Sequence, residues 1–473
     1  MPVDRLKRTV GQRPATGIVH LGLGAFYRAF GCVYIADAMQ AAGGDWGIVG
    51  VSLRNPDTRD ALAPQDWAYT SVTLAPDGPQ TRMIDVLNGV LVAPEDPQAV
   101  LTAMCNPAVR IVSLTVTEKG YCHNPATGTL NPDHPDIIHD ITHGLPRSAP
   151  GYLVRALQQR RAAGLAPFTV LTCDNLPHNG ALVRGVVLDL ARHIDPSLAE
   201  WIAEFGCFPA TMVDRITPAT TAQDITTVEQ LTGRHDAAPV IHEPFRQWAV
   251  QDHFVNGDRP DLASAGVQMV QDVAPFEEMK LRMLNGTHSA LAYLGYLAGH
   301  ETIADTVSDP DFAAYVRQCW AEIVPTVTAP PGVALTDYAD ELFDRYANPA
   351  IRHRTWQIAM DGSQKLPQRW LGTLRANLDA GRDSPALCLA VAGWMRYVTG
   401  IDEAGQPIDV RDPLADVLRH AATDTATGTV SALLSLRDVF PADLALQLVG
   451  PISTAAATLW AKGAAKAVQE VTR

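Results

Sequence analysis

The chain has 473 residues, 47% hydrophobic and 19% charged, with no internal repeat or low-complexity tract. It is long enough to bury a sizeable core and too long for a single one, because cores stop growing at roughly 250–300 residues, so two domains are expected. A formal charge of −14 argues against broad binding to nucleic acid or an anionic membrane, both of which require a basic face; an anionic substrate must therefore meet locally placed cations.

The N-terminal stretch MPVDRLKRTVGQRPATG lacks the apolar core of a signal peptide, and no run of about 18 apolar residues is read after it. A cytoplasmic protein without a membrane partner is expected. The cysteines, Cys32, Cys105, Cys122, Cys173, Cys207, Cys319 and Cys388, are scattered and form no CxxC pair, which predicts reduced thiols and excludes a ribbon-type zinc site.

In chain order, GIVHLG at 17–22 reads as a buried strand that ends in glycines and passes into one helix, AFYRAFGCVYIADAMQAA. IVGVSL at 48–53, VRIVSLTV at 109–116 and FTVLTC at 168–173 read as further buried strands. YLVRALQQRRAAG and GALVRGVVLDLARHI read as crossover helices, and apolar strands alternating with helices indicate a largely parallel sheet. Beyond Asp272–Phe276 helical periodicity dominates, so the predicted architecture is an α/β domain over 1–276 and a mainly α-helical domain over 277–473.

Gly22-Leu23-Gly24 stands at the strand-to-helix turn, where glycines let the backbone approach a pyrophosphate; Tyr27 replaces the third glycine of GxGxxG. With Ala25, Phe26 and Arg28 this turn is the candidate cofactor site. Asn55 and Asp57, beyond the second strand, are the candidate ribose ligands, with Arg54 beside them as an alternative partner for a 2′-phosphate; NAD is favoured over NADP.

Lys280, Asn285 and His288 fall within an arc of about 140° if the segment KLRMLNGTHS is an α-helix. A lysine in a partly apolar site can exchange a proton with an alcohol or carbonyl oxygen, Asn285 can donate to that oxygen, and His288 can orient a hydroxyl. Glu118 in TEKGY and Asn175 in DNLPHNG follow strands, whose C-terminal ends face the ligand crevice of a parallel sheet. In HPDIIHDITHG, His139 and His143 have zinc-like spacing, with His134, Asp136 and Asp140 nearby, but no second cluster accompanies them; a polar surface loop and no metal are expected.

GLGAFYRAF, TVTEKGYC, TCDNLPHNG, MVDRITP, FRQWAVQDHF, KLRMLNGTHSALAYLGYLAG and NPAIRHRTWQIAMDGSQKLPQR occur in this order over almost the whole chain. Together they resemble the polyol-specific long-chain dehydrogenases, the mannitol dehydrogenase family. TEKGYC, EEMKLRMLNG and HRTWQIAMDGSQKLPQR are most similar to the branch that reduces D-fructuronate to D-mannonate. The resemblance implies a Rossmann-type domain, a mainly helical second domain, metal-independent hydride transfer with NAD, and a monomer or small homo-oligomer acting on a sugar acid or polyol. It further implies Lys280 as acid/base, Asn285 and Asn175 as an oxyanion-binding pair, His288 and Asp214 as substrate-side residues, and Glu118 on a proton path. Arg352, His353, Lys365 and Arg369 are the candidate cations for a carboxylate. The turn departs from the family's Phe-His-Arg-Ala-His, because Tyr27 and Phe30 stand at the two histidine positions. The alternatives within the family are a mannitol or arabinitol 2-dehydrogenase and a tagaturonate reductase; outside it, a nucleotide-binding sensor without turnover.

Overall fold

The computed structural model describes residues 3–9, 11, 13–124, 127–423 and 425–473. The chain divides into two compact units, Met1–Ala274 and Pro275–Arg473. In the first, the strands are β1 (Thr16–Leu21), β2 (Gly47–Ser52), β3 (Tyr69–Ala75), β4 (Gly78–Ile84), β5 (Leu87–Val92), β6 (Ile111–Leu114), β7 (Thr169–Thr172), β8 (Thr211–Asp214), β9 (Val240–His242), β10 (Gln247–Gln251) and β11 (Gln268–Val270).

The central sheet has the order β5-β2-β1-β6-β7 and every pairing in it is parallel. The side-chain period of two sorts its residues onto two cores. Val19, Leu21, Val112, Leu114 and Val170 pack beneath the helices Pro97–Met104, Ala149–Ala162 and Asn179–Ile194. Ile18, Ile48, Ile111 and Leu171 face the helix Gly31–Ala42 and Trp248. From β1 the chain builds outward through β2 and β5, then crosses back to β6 on the other side of β1. This puts the point where strand order reverses between β1 and β6, where open α/β sheets bind ligands.

The four strands expected from sequence are present, with ends within a few residues of those read. The sequence reading did not include β5, the β3–β4 hairpin or the short strands β8–β11. The helix after the glycine turn is also not continuous. It runs over Ala25–Ala29 and restarts at Gly31–Ala42, broken at Phe30, whose φ and ψ are −121° and −80°. Gly31 lies so close to the Tyr27 ring that a Cβ there would come within 2.3 Å of it.

In the second unit the described residues form helices and isolated bridges, with no strand. Its central helix, Thr287–Leu297, is buried at every position but Tyr296, as expected of a helix apolar on all sides. It packs against Thr355–Ile358 and Pro385–Tyr397. One helix among the described residues, Ala442–Lys462, is long and apolar enough by length and composition to cross a membrane. Gln447, Pro451, Ser453 and Thr454 interrupt its apolar run, which is why the reading for long apolar stretches passed over it. Leu444, Leu448, Ile452, Ala456 and Leu459 form a buried stripe on it, and it packs against Pro385–Tyr397 and Ala426–Leu434.

Candidate active site

In the first unit the strand ends on either side of the reversal point carry the predicted residues. Gly22 has φ +89°, and a side chain there would place Cβ 2.2 Å from the Thr115 carbonyl oxygen, so only glycine fits. Its N–H donates to the Val51 carbonyl at 2.9 Å and its own carbonyl accepts from Thr115 Oγ1 at 2.9 Å. Gly24 is exposed, with no neighbouring atom closer than 3.9 Å to a Cβ built there, and the helix that begins at Ala25 has no side-chain cap. The turn thus leaves open backbone where a ligand phosphate is expected. Leu23 is buried against Gly50, and Phe26 is half-buried.

A buried polar chain lies under this turn. His20 bonds Ser113 Oγ at 2.8 Å and Thr115 Oγ1 at 2.9 Å, and Ser113 donates to the Tyr27 hydroxyl, whose ring stacks on His20. Burial holds the His20 imidazole well below its ordinary pKa, so it is neutral and serves as one donor and one acceptor. Phe30 packs against Phe26, Tyr34 and Trp248. The two departures from the family turn, Tyr27 and Phe30, are therefore interior residues. Arg28, predicted to face the cofactor, is also interior: its guanidinium donates to the Ala238 carbonyl at 2.5 Å and lies over the Tyr69 ring. The helix turn that follows Gly24 aims it into the core, away from the open side of the glycines.

Asn55 and Asp57 are exposed just beyond β2, as is Arg54. Glu118 begins a short turn after β6 and Asn175 follows β7; both are exposed. Asp174, which the sequence reading assigned no role, ties these two loops together. Its buried carboxylate accepts from the Val116 and Thr117 amides at 2.9 and 3.0 Å and from the Tyr121 hydroxyl at 2.7 Å, bracing Thr117 at φ +64°. Burial still raises its pKa above the usual carboxylate value, the three donors opposing the shift. An acidic residue directly after a buried strand was the available signal. Asp214 ends β8 and is buried.

In the second unit Asn285 and His288 come together with His353, Lys365 and Arg369, and Lys280 lies on the same helical run as Asn285. Lys280 and His288 are 7% and 8% exposed. The backbone from Lys280 to Gly286 is a π-helix, set between α-helices Ala274–Met279 and Thr287–Leu297. This corrects the expected α-helix: in an i→i+5 helix the fifth residue on lies nearly over the first, so Lys280 and Asn285 are brought onto one face rather than splayed apart. The Asn285 side-chain Nδ2 and the His353 Nδ1 are buried without a hydrogen-bond partner, the state expected of groups that await a ligand.

His288 packs between Tyr346 and His353, with ring centroids 5.2 and 4.8 Å away. Burial, followed by its neighbours His353, Arg369, Arg345 and Lys365, holds it well below its ordinary pKa. Burial, with Arg345, lowers His353 to about 4. Lys365 is lowered to about 8 by burial and then by Arg369; its Nζ donates to the Met360 carbonyl at 2.5 Å and to that of Ile358 at 3.4 Å. Arg352 does not join this cluster. It is exposed, next in sequence to His353 but directed outward, and pairs with Glu301 at 3.3 Å.

The segment at 134–143, expected as a polar surface loop, is instead a short helix, Pro135–Thr142, with Ile137 and Asp140 buried. His139 and His143 stack, while the Asp140 carboxylate accepts from the Arg147 and Ser148 amides and the Ser148 hydroxyl. Asp140 thus works as a structural acceptor, and no group of three or more metal-ligating side chains occurs among the described residues. All seven cysteines are free.

Residues 16–264 match the mannitol dehydrogenase Rossmann domain and residues 272–460 the mannitol dehydrogenase C-terminal domain. The uncharacterized oxidoreductase YeiQ of Escherichia coli is 50% identical over 438 residues, 92% of this chain and 89% of the relative. The D-mannonate oxidoreductase of Escherichia coli is 46% identical over 463 residues, 95% and 94% of the two chains. The solved mannitol 2-dehydrogenase of Pseudomonas fluorescens, a ternary complex with NAD and D-mannitol, superposes with a TM-score of 0.86 at 36% identity, covering 100% of this chain and 97% of that one. With both domain models matched in order and relatives covering nearly its full length, the chain belongs to the mannitol dehydrogenase family and is an oxidoreductase of that family.

Proposed function

We propose that the protein reduces the ketone of D-fructuronate with NADH, giving D-mannonate, and catalyses the reverse reaction at high pH. The observation that carries the choice of a sugar acid is the set of buried and half-buried cations around His288: Arg369, which reaches the neighbouring Ser289 hydroxyl, with Arg345 and Lys365. Such cations attract an anionic ligand, and the carboxylates of the chain that already act on Lys365 are Asp361 and Asp412. A uronate brings one carboxylate, which a polyol lacks.

The glycine turn fits NAD. Gly22 and Leu23 fix the turn, Gly24, Ala25 and Phe26 follow it as the backbone offered to the pyrophosphate, and Asn55 and Asp57 stand where the adenosine ribose is read. NADH, when bound, supplies the hydride for the ketone carbon. Lys280 gives its proton to the oxygen that becomes the hydroxyl, and the unpartnered Asn285 amide donates to the same oxygen as charge builds on it. Asn175 is assigned the second amide donor, Glu118 the path by which water restores the Lys280 proton, and Asp214 a substrate hydroxyl. His288, neutral, has a donor and an acceptor with which to orient the sugar.

Lys365 is the cation assigned to the carboxylate, and His353, packed on His288, is assigned to the sugar. Its two carbonyl bonds leave one N–H of three for a ligand, whereas Arg369 donates one arm to the Asn285 carbonyl and Ser289 Oγ. The test is Lys365→Met, assayed with fructuronate and fructose. KM for fructuronate should rise about 10- to 100-fold, the scale of one charge-assisted hydrogen bond, with KM for fructose little changed. Equal effects on the two sugars would remove the carboxylate assignment.

A further inference from the structure

The π-helical turn that carries Lys280 and Asn285 receives hydrogen bonds from outside along its length. The Met283 carbonyl accepts from Trp320 Nε1 at 3.1 Å and the Leu284 carbonyl from the Tyr346 hydroxyl at 2.8 Å. The Asn285 carbonyl accepts from Arg369 Nη1 at 3.1 Å and the Gly286 carbonyl from Trp370 Nε1 at 2.9 Å. Four successive main-chain carbonyls thus each take a side-chain donor, from residues 37 to 84 positions away in sequence. Arg369 and Trp370 themselves belong to a second π-helical turn, Pro367–Leu371, packed against the first.

A π-helical turn inserts one residue into the α-helical ladder, a geometry that is rare because it weakens the regular bonds and that gathers at functional sites. Buried carbonyls displaced from that ladder need other partners. Here the surrounding helices supply one to each of the four, and Thr287 Oγ1 adds a local bond to the Met283 carbonyl at 2.6 Å, so tertiary contacts reinforce the register along the whole run. An α-register would rotate Asn285 away from Lys280.

We propose that Trp320, Tyr346, Arg369 and Trp370 are positioning residues: by bonding the carbonyls of residues 283–286 they hold the π register and, through it, the angle between the proton-donating Lys280 and the amide of Asn285. This rests on the reading of Lys280 and Asn285 as the groups that act on the ketone oxygen. It adds that turnover depends on four side chains that need not touch the sugar.

The test uses Tyr346→Phe, Trp370→Phe and the double variant, with Trp394→Phe as control. Tyr346→Phe keeps the ring stacked on His288 and loses only the hydroxyl. Trp394 is a fully buried indole of the same unit whose Nε1 has no partner, so its replacement changes packing without removing a donor. On the sugar that the wild type reduces fastest, kcat of the double variant should fall about tenfold to a hundredfold, the scale of a 1 Å misplacement. KM for the sugar and Kd for NADH should stay within about twofold, and the limb of the pH profile that reports the acid should shift. Trp394→Phe should keep wild-type kcat and pH profile.

A double variant with wild-type kcat, or a control that loses as much, overturns the proposal. If the double variant does not fold, Tyr346→Phe decides: a fall of threefold or more in kcat supports the proposal and unchanged kcat overturns it. Lys280→Ala, run alongside, separates the two claims. If it is inactive while the donor variants behave as wild type, only the positioning role fails. If it retains turnover, or if the wild type reduces no ketose or ketose acid, the reading of the site fails and the positioning role with it.

Discussion

In the N-terminal unit the candidate contacts are a glycine turn and polar side chains, most of them at the exposed ends of strands, whereas in the C-terminal unit they are side chains buried among helices. Gly24, Asn55, Asp57, Glu118 and Asn175 are all exposed, and the turn depends on what is missing from it, a Cβ at Gly22 and a side chain at Gly24. Lys280 and His288 are buried, Arg369, Arg345 and Lys365 act on His288, and the backbone at Lys280–Gly286 is drawn into an uncommon helix by donors from three other elements. Cofactor recognition at the glycine turn depends on the backbone path, which Gly22 holds. Recognition and proton transfer in the helical unit depend on the identity of each side chain and on the shell that aims it.

The contrast is tested most strongly at its two extremes. Lys280→Ala should lower kcat by about a thousandfold or more, as expected when a general acid is removed, and leave Kd for NADH within about twofold. Gly22→Ala should do the reverse, because the new Cβ meets the Thr115 carbonyl in a left-handed conformation; NADH binding should weaken at least about tenfold and thermal stability should fall. Loss of NADH binding in the lysine variant, read by quenching of protein fluorescence, would break the division of labour between the units.

A smaller effect distinguishes the two units by pH. Lys365 carries its charge below about 8 and loses it above, so in the absence of substrate its attraction for a carboxylate fades as pH rises through that value. KM for fructuronate should therefore climb between about pH 7.5 and 9 in the wild type and stay flat in Lys365→Met, while Kd for NADH is level over the same range.

The smallest expected effect is on stability. His353 is lowered to about 4 and His242, in the N-terminal unit, to about 3, in both cases chiefly by burial. The unfolded chain takes up these protons near 6.5 and the folded one only near 4 and 3. Stability from neutral imidazole is therefore full above 6.5 and declines as pH falls toward the folded values, by about 3 kcal/mol at most for His353. Urea midpoints at pH 7 and pH 5 should differ in that direction, and His353→Asn should reduce the difference.

Much of the architecture was legible because it is written in local pattern. Buried apolar runs such as GIVHLG and FTVLTC and the helical spacing of ALVRGVVLDLARHI each encode their own element. The grouping of Lys280, Asn285 and His288 was legible from their spacing, but not its true angle. Periodicity assumes 100° per residue, and the π register at 280–286 is imposed by Trp320, Tyr346, Arg369 and Trp370, far away in sequence. Orientation was equally hidden at the glycine turn, where Arg28 reads as part of the cofactor site and its side chain lies in the interior against Ala238 and Tyr69. Arg352 and His353 are neighbours in sequence with opposite fates, one exposed and paired with Glu301, the other packed on His288.

The measurement that bears most directly on the account is NADH consumption by the purified protein with fructuronate, tagaturonate and fructose side by side, repeated with NADPH. The account predicts the highest kcat/KM for fructuronate, a much lower one for fructose, and preference for NADH over NADPH. Preference for fructose would contradict the sugar-acid reading and move the protein to the polyol branch of its family, and no turnover with any of the three would contradict the assignment of Lys280 and Asn285 to ketose reduction.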